Sequence, residues 1–305
     1  MNGVRLLTLL VWLSWPSLAG SGVEERPGEF TLELGFLVTN LRDVSRTDVD
    51  ISLRFWVDEL IRSQQLRATT HLYDKVEAMR QDFSAGRINM IVLSGAEVVR
   101  HFPLEELAEG FIGYTDQPDN LLLVARQGAG IRSAADLAGK RLILTDSDPL
   151  SRLYLETLAL RTFGDKGESA LGAVIEVPRS NLAINRLFFG DADAALVSRS
   201  ALDLAVNLNP QIGARTHVLD AYTLAIRSLN VGLFSRKVSL EDREHVLSIA
   251  LELMKTPRGQ QILELYRTAY VDRCGLENLE PVRRLFLENQ ALRARYPKAY
   301  RRQRP

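Results

Sequence analysis

Residues 67–93, RATTHLYDKVEAMRQDFSAGRINMIVL, read as a strand, a helix and a second strand. Thr69 and Thr70 favour an extended Arg67–Tyr73. Val76, Met79 and Phe83 then recur at helical spacing, and Gly86 stands where a helix ends in a left-handed residue. Ile88–Leu93 is a continuous apolar run, as expected of a parallel strand buried on both faces. Upstream, Phe30, Leu32, Leu34 and Phe36 alternate with Thr31, Glu33 and Gly35 as a strand. Leu53, Trp56, Val57, Leu60 and Ile61 follow with the spacing of one helix face. A β-α-β-α-β order places helices on the faces of a mostly parallel sheet.

The same grammar restarts downstream. Gly110–Tyr114 and Leu121–Ala125 are short apolar strands separated by the polar Thr115–Asn120. Ser133–Leu137 is a short helical piece, Arg141–Thr145 a strand, and Pro149–Phe163 a helix capped by Asp148. Val174–Val177, Asn181–Phe189, Ala194–Ser198 and Ala201–Asn207 continue as strand, helix, strand, helix. No repeat is visible at the level of residue identity. Beyond residue 224 come the strand Val231–Phe234 and three helices, one starting at Ser239 and Asp242 and two at Pro257 and Pro281. These late helices have no sheet of their own, so they are expected to pack back on the first unit. The chain would leave the first unit near 115–120 and return near 220–226. Two crossings make a hinge, and a cleft between α/β units is a favoured place for a small ligand.

Composition narrows the function classes. The chain has 305 residues, 46% hydrophobic and 25% charged, an ordinary globular balance. Lysine and arginine together number 38, as do aspartate and glutamate, so nucleic acid is not an expected partner. Cys274 is the sole cysteine, so an internal disulfide is impossible. Met1–Ala19 has a basic start, the apolar run Leu6–Trp15 and a small-residue end, the pattern of a cleavable secretory leader. The product is expected to be exported. Arg293–Pro305 carries six basic residues and no acid, and reads as a solvated tail.

Several stretches resemble the type II periplasmic binding proteins, and within them the phosphate/phosphite/phosphonate group. They are Asn120–Arg126 with Gly130–Lys140, Gly190-Asp-Ala-Asp-Ala-Ala-Leu-Val197, and Leu72–Met79 followed by Ser84–Val92, where Asn89 stands in place of the usual Asp. The likeness extends over about 29–270. It implies an α/β Venus-flytrap of two lobes. The first would comprise 24–117 plus 225–290 and the second 118–224, with the leader at 1–19 and the basic tail at 291–305. It also implies a monomeric periplasmic receptor that delivers a small solute to an ABC transporter permease. The alternative is a sensing subunit of the same fold that reports to a membrane kinase or cyclase.

Candidate ligand residues follow from strand ends, where helix N-termini offer N–H groups to an oxyanion. They are Ser94 and Gly95 after Ile88–Leu93; Thr145, Asp146, Ser147 and Ser151 around the turn after Arg141–Thr145; Ser180 and Asn181 after Val174–Val177; and Ser198 after Ala194–Val197. Tyr73 joins them because the resemblance places a ligand-facing tyrosine there. Two features depart from the family. The turn reads Asp146-Ser-Asp-Pro-Leu-Ser151, with two carboxylates near the expected anion. Ser198 or Arg199 stands where an acidic residue is expected. No catalytic residue, metal site or cofactor is expected: His71, His101, His217 and His245 lack metal-ligand spacing, and neither a nucleotide loop nor a nucleophile elbow is present.

Overall fold

The computed structural model describes residues 30–38, 47, 51, 54, 66–114, 120–145, 149–224, 230–265 and 268–301. The helix expected over Leu53–Ile61, the residues Asp146, Ser147 and Asp148, the leader, most of the first crossing and part of the second lie outside them.

Eleven strands among the described residues form two sheets. The chain begins with β1 (Thr31–Leu37), β2 (Arg67–Tyr73), β3 (Met90–Ser94) and β4 (Leu107–Tyr114). It continues through β5 (Leu121–Arg126), β6 (Arg141–Thr145), β7 (Ala173–Val177), β8 (Ala194–Ser198) and β9 (Thr216–Val218), then returns with β10 (Asn230–Ser235) and β11 (Tyr270–Cys274). The first sheet runs β11-β4-β10-β3-β1-β2 and the second β7-β6-β8-β5-β9. The chain therefore passes from one sheet to the other between Tyr114 and Leu121, and back between Val218 and Asn230.

The sheets are mixed rather than mostly parallel. β1 pairs in parallel with β2 and β3, and β6 with β7 and β8. The remaining pairings are antiparallel. The crossings explain this. β5 starts at the sheet edge where β8 ends, with Leu121 opposite Ser198. β10 likewise starts where β3 ends, with Asn230 opposite Ser94. A strand entering from the crossing edge must run away from it, against its parallel neighbours.

Helices cover both sheets. α1 (Val76–Ser84) and α2 (Gly95–His101) flank the first, and α3 (Pro149–Phe163), α4 (Ser180–Phe189), α5 (Arg199–Leu208) and α6 (Pro210–Arg215) the second. The last part holds α7 (Leu240–Met254), α8 (Pro257–Leu265), α9 (Glu280–Arg295) and α10 (Pro297–Arg301). Ser239 caps α7 by accepting from the Asp242 amide at 3.1 Å. Ser133 and Asp136 form a capping box on the 3-10 turn Ala134–Leu137. Leu93, Ile91, Val98 and Leu233 centre the core of the first lobe; Leu123, Leu144, Leu155 and Leu196 centre one side of the second.

The late chain departs from expectation in two places. Cys274 lies, fully buried, on the edge strand β11, where the sequence beyond Phe234 reads only as helices. The strand's sequence, Tyr270-Val-Asp-Arg-Cys274, sets two charged residues side by side and most of its residues are exposed, so no apolar run marks it. The second departure is α9. α7 packs on β4 and β11 as expected, but α9 packs along α3 of the second lobe. The basic segment from Arg293 to Arg301 is helical, with Ala299 buried, and is not a frayed tail over those residues.

Candidate functional site

One structural unit occurs in each lobe, and it brings three of the candidates, Ser94, Gly95 and Ser198, to matching places. In the first lobe α1 ends at Gly86, whose φ of 72° is a left-handed conformation natural to glycine. Three residues later Asn89 enters β3. Its amide donates to the Glu33 carbonyl at 2.9 Å, its Oδ1 accepts from the Glu33 amide at 2.9 Å, and its Nδ2 donates to the Thr31 carbonyl at 2.7 Å. β3 ends at Ser94, whose Oγ caps α2 by accepting from the Glu97 amide at 3.3 Å.

The second lobe repeats each step. α4 ends at Gly190, with φ 87°. Three residues later the Asp193 amide donates to the Arg141 carbonyl at 2.8 Å, and its Oδ2 accepts from the Arg141 amide at 3.0 Å. β8 ends at Ser198, whose Oγ caps α5 by accepting from the Ala201 amide at 3.3 Å. Asp193 adds what Asn89 lacks: hydrogen bonds from the Arg141 side chain, at 3.2 and 3.1 Å, and from Arg126 at 3.2 Å. The Arg141 bonds above all, with help from Arg126, pull its carboxyl down to about 2.

Ser94 and Ser198 thus sit at the sheet edges that the two crossings join. A cap uses a lone pair of the hydroxyl oxygen and leaves its proton to donate elsewhere. Ser198 Oγ also lies 3.1 Å from Ser200 Oγ. Thr145 ends β6 on the same edge of the second sheet and is buried. Ser180 and Asn181 open α4 beside it, half-buried and exposed. Gly95 follows Ser94 as the first residue of α2; a Cβ there would lie 3.2 Å from Leu279 Cδ2. α2 touches α3, and Ala96 packs against the core of the second lobe, so the two edges belong to one neighbourhood.

Two candidates stand apart. Tyr73 belongs to the first core and gives its proton to Asp82 Oδ2 at 2.6 Å. Burial, aided by that bond, holds the phenol protonated well above its ordinary range. Its hydroxyl proton is therefore not on offer to an anion in this arrangement. Ser151 is only 1% exposed, inside the first turn of α3. Asp146 and Ser147 lie outside the described residues.

Arg199 enters the neighbourhood on structural grounds. It is the first residue of α5, where the first lobe has Gly95, and its amide donates to the Asn120 carbonyl at 2.8 Å. It is half-buried, and among the described residues its guanidinium has neither a hydrogen-bond nor an ion-pair partner. Other arginines of the lobe are engaged: Arg141 and Arg126 on Asp193, Arg152 on Glu168, Arg161 on Glu288. A charge left without a carboxylate at such an edge suits an anionic solute. No group of acids, histidines or cysteine among the described residues is arranged to hold a metal ion. No helix among them is long and apolar enough to cross a membrane.

Comparison with known proteins places this geometry in a family context. Residues 45–273 match the family model described as ABC transporter, phosphonate, periplasmic substrate-binding protein. Among solved structures, XAC2383 from Xanthomonas citri bound to chloride superposes with a TM-score of 0.63 at 14% identity, over 87% of this chain and 99% of that one. A binding protein component of an ABC phosphonate transporter from Pseudomonas aeruginosa gives 0.57 at 10% identity, over 86% and 87%. PhnD1 from Prochlorococcus marinus in complex with methylphosphonate gives 0.56 at 13% identity, over 88% and 98%. At these identities the likeness is one of fold. No curated protein sequence matches the chain.

Proposed function

The chain belongs to the phosphonate family of periplasmic substrate-binding proteins of ABC transporters, and on that premise we propose that it captures a phosphate- or phosphonate-like oxyanion between its lobes and delivers it to a transporter permease. It acts as a monomer, exported after loss of Met1–Ala19, and performs no chemistry on the solute.

The observation that carries the ligand class is the pair of matched edges, one of them bearing Arg199. In this reading Ser94 and Ser198 donate their hydroxyl protons from the two lobes, and Gly95, Ser180 and Asn181 offer backbone N–H groups at helix starts. Thr145 and Ser147 join them after β6, and Ser151 backs them from inside the first turn of α3. Arg199 supplies the charge, and its planar fork suits a tetrahedral oxyanion. Asp146 opposes an anion and must turn away from it or cap α3.

The test is a thermal-shift series of purified protein with phosphate, phosphite, methylphosphonate, methanesulfonate, 2-aminoethylphosphonate and amino acids. A true ligand at about 100 times its Kd adds about 2.7 kcal/mol of stability. Arg199→Gln is expected to weaken that ligand by about 10- to 150-fold, the worth of a hydrogen bond to a charged group, with ligand-free stability unchanged. Stabilisation by amino acids alone, or an Arg199→Gln variant that binds as the parent does, would reject the oxyanion reading.

A further inference from the structure

α9 is anchored in both lobes. Leu279, the residue before it, is 2% exposed in the core of the first lobe beside Cys274, Leu93 and Val98. Leu285, six positions on, is 6% exposed in the core of the second lobe beside Leu150, Leu153 and Tyr154, with Val282 and Phe286 packed around it. Six helical residues span about 9 Å. The two cores are thus joined by a short stiff rod, not by a loop.

The rest of α9 is built into the second lobe by polar contacts. Asn289, 2% exposed, donates from Nδ2 to the Oγ1 of the fully buried Thr157 at 3.0 Å. Thr157 in turn donates to the Leu153 carbonyl at 2.7 Å. Arg293 makes a forked pair with the buried Glu156, its Nε at 2.6 Å from Oε1 and its Nη2 on Oε2. Arg161 makes a second fork with Glu288, at 2.9 and 2.8 Å. Beyond α9, Tyr296 and Ala299 lie over Gly164 and Gly167.

The weak point is the junction. The 3-10 turn Leu276–Leu279 runs directly into α9. Leu279 supplies no side-chain cap, and Pro281 in the first turn has no N–H to bond. Bending there breaks fewer hydrogen bonds than bending inside the helix. The same Leu279 lies against Gly95 at the start of α2, so the junction adjoins the first-lobe edge.

We propose that α9 is a third mechanical tie between the lobes, pivoting at Leu279–Pro281, and that it limits how far they swing apart. Two crossings alone leave a hinge whose opening is stopped only when the linkers are taut. A rod seated in both cores stops it earlier, because further opening must pull Leu279 or Leu285 out of its core. The proposal rests on packing and does not depend on the identity of the solute.

The experiment measures interlobe distance in ligand-free protein by pulsed electron-spin resonance. Spin labels are placed at Arg100→Cys in the first lobe and Asn185→Cys in the second, both exposed positions. The native Cys274 is fully buried and takes no label. Two glycines inserted between Leu279 and Glu280 add up to about 7 Å of slack while keeping the buried side chains Leu279 and Leu285 themselves. The distance distribution is expected to broaden and shift to longer values. A second variant, Asn289→Ala with Arg293→Ala, loosens the clasp from the other side and is expected to move it in the same direction. A glycine-insert distribution that superimposes on the parent's overturns the proposal, whatever the double variant does.

Discussion

Residues 86–98 and 190–202 perform the same structural task at a constant offset of 104 positions. A left-handed glycine, an asparagine or aspartate three residues later and a serine five beyond it reappear in the same order, with the same backbone bonds to the neighbouring parallel strand. The difference lies in how the middle residue is satisfied. Asn89 meets both an amide and a carbonyl of β1 with one neutral side chain. Asp193 has no donor of its own and accepts from an amide and two arginines instead. One frame is thus held by dipoles and the other by charge, which makes the second unit, unlike the first, sensitive to acid.

The largest expected effect tests which lobe owns the late chain. Leu285→Ala should cost about 2–5 kcal/mol, as for a buried leucine left as a cavity. Leu287→Ala, on the same helix but 45% exposed, should stay within about 0.5 kcal/mol of the parent. Urea melts give the values, and hydrogen exchange locates them. Faster exchange in β6 and β8 with β1 and β3 unchanged assigns α9 to the second lobe; the reverse pattern would assign it to the first.

Next comes the charge difference itself. Asp193→Asn should cost about 1.5–3 kcal/mol at neutral pH, because donors on Arg141 and Arg126 lose a charged acceptor. The sign with pH follows from its lowered folded value of about 2. The contribution is complete above the unfolded carboxyl range near about 4 and disappears as pH falls through about 2. The destabilisation by Asp193→Asn should therefore shrink across that window. Asn89→Asp, which turns a donor towards the Thr31 carbonyl into an acceptor, should be costly at pH 7 and milder in acid. The two recoveries should fall in different windows, Asn89→Asp at or above the ordinary carboxyl range and Asp193→Asn below it; an Asp193→Asn penalty that does not change with pH would show that the lobes do not differ as described.

The smallest effects should be equal. Ser94→Ala and Ser198→Ala each remove one capping bond of the same length, for about 1 kcal/mol each. Equality in stability is the expectation in the absence of solute. A gap wider than about the 0.5 kcal/mol scatter of neutral surface changes would mean that the two caps are not equivalent.

Much of this frame was legible. Apolar runs and helical spacing located β3, β6, β8 and the helices between them, and Gly86, Ser133 and Ser239 marked boundaries through turn and cap chemistry. Strand direction was not legible, because Leu121–Ala125 and Val231–Phe234 read alike whether they run with their neighbours or against them. The repeat escaped notice because it conserves bonds: among its thirteen positions Gly and Ser recur, while Met90-Ile-Val-Leu93 answers Ala194-Ala-Leu-Val197. The allegiance of α9 was hidden for another reason. Asn289 and Arg293 look like a solvated face until Thr157 and Glu156 are seen opposite them. Of the candidate site, strand-end logic singled out Ser94, Thr145, Ser180 and Ser198. It passed over the guanidinium of Arg199, since an arginine at a helix start carries no signal until no acid among the described residues proves to pair with it.

The unit's economy has an evolutionary side. Its geometry is secured by main-chain bonds, a left-handed glycine and two side chains, and the side chain after each serine takes no part. Gly95 and Arg199 occupy that position, one with no side chain and the other with a cation. Under the proposed function these are the positions at which recognition could be rewritten, Arg199 without loss of a side-chain contact among the described residues and Gly95 only where Leu279 gives way. Lineages that share this frame are free to diverge in diet faster than in shape.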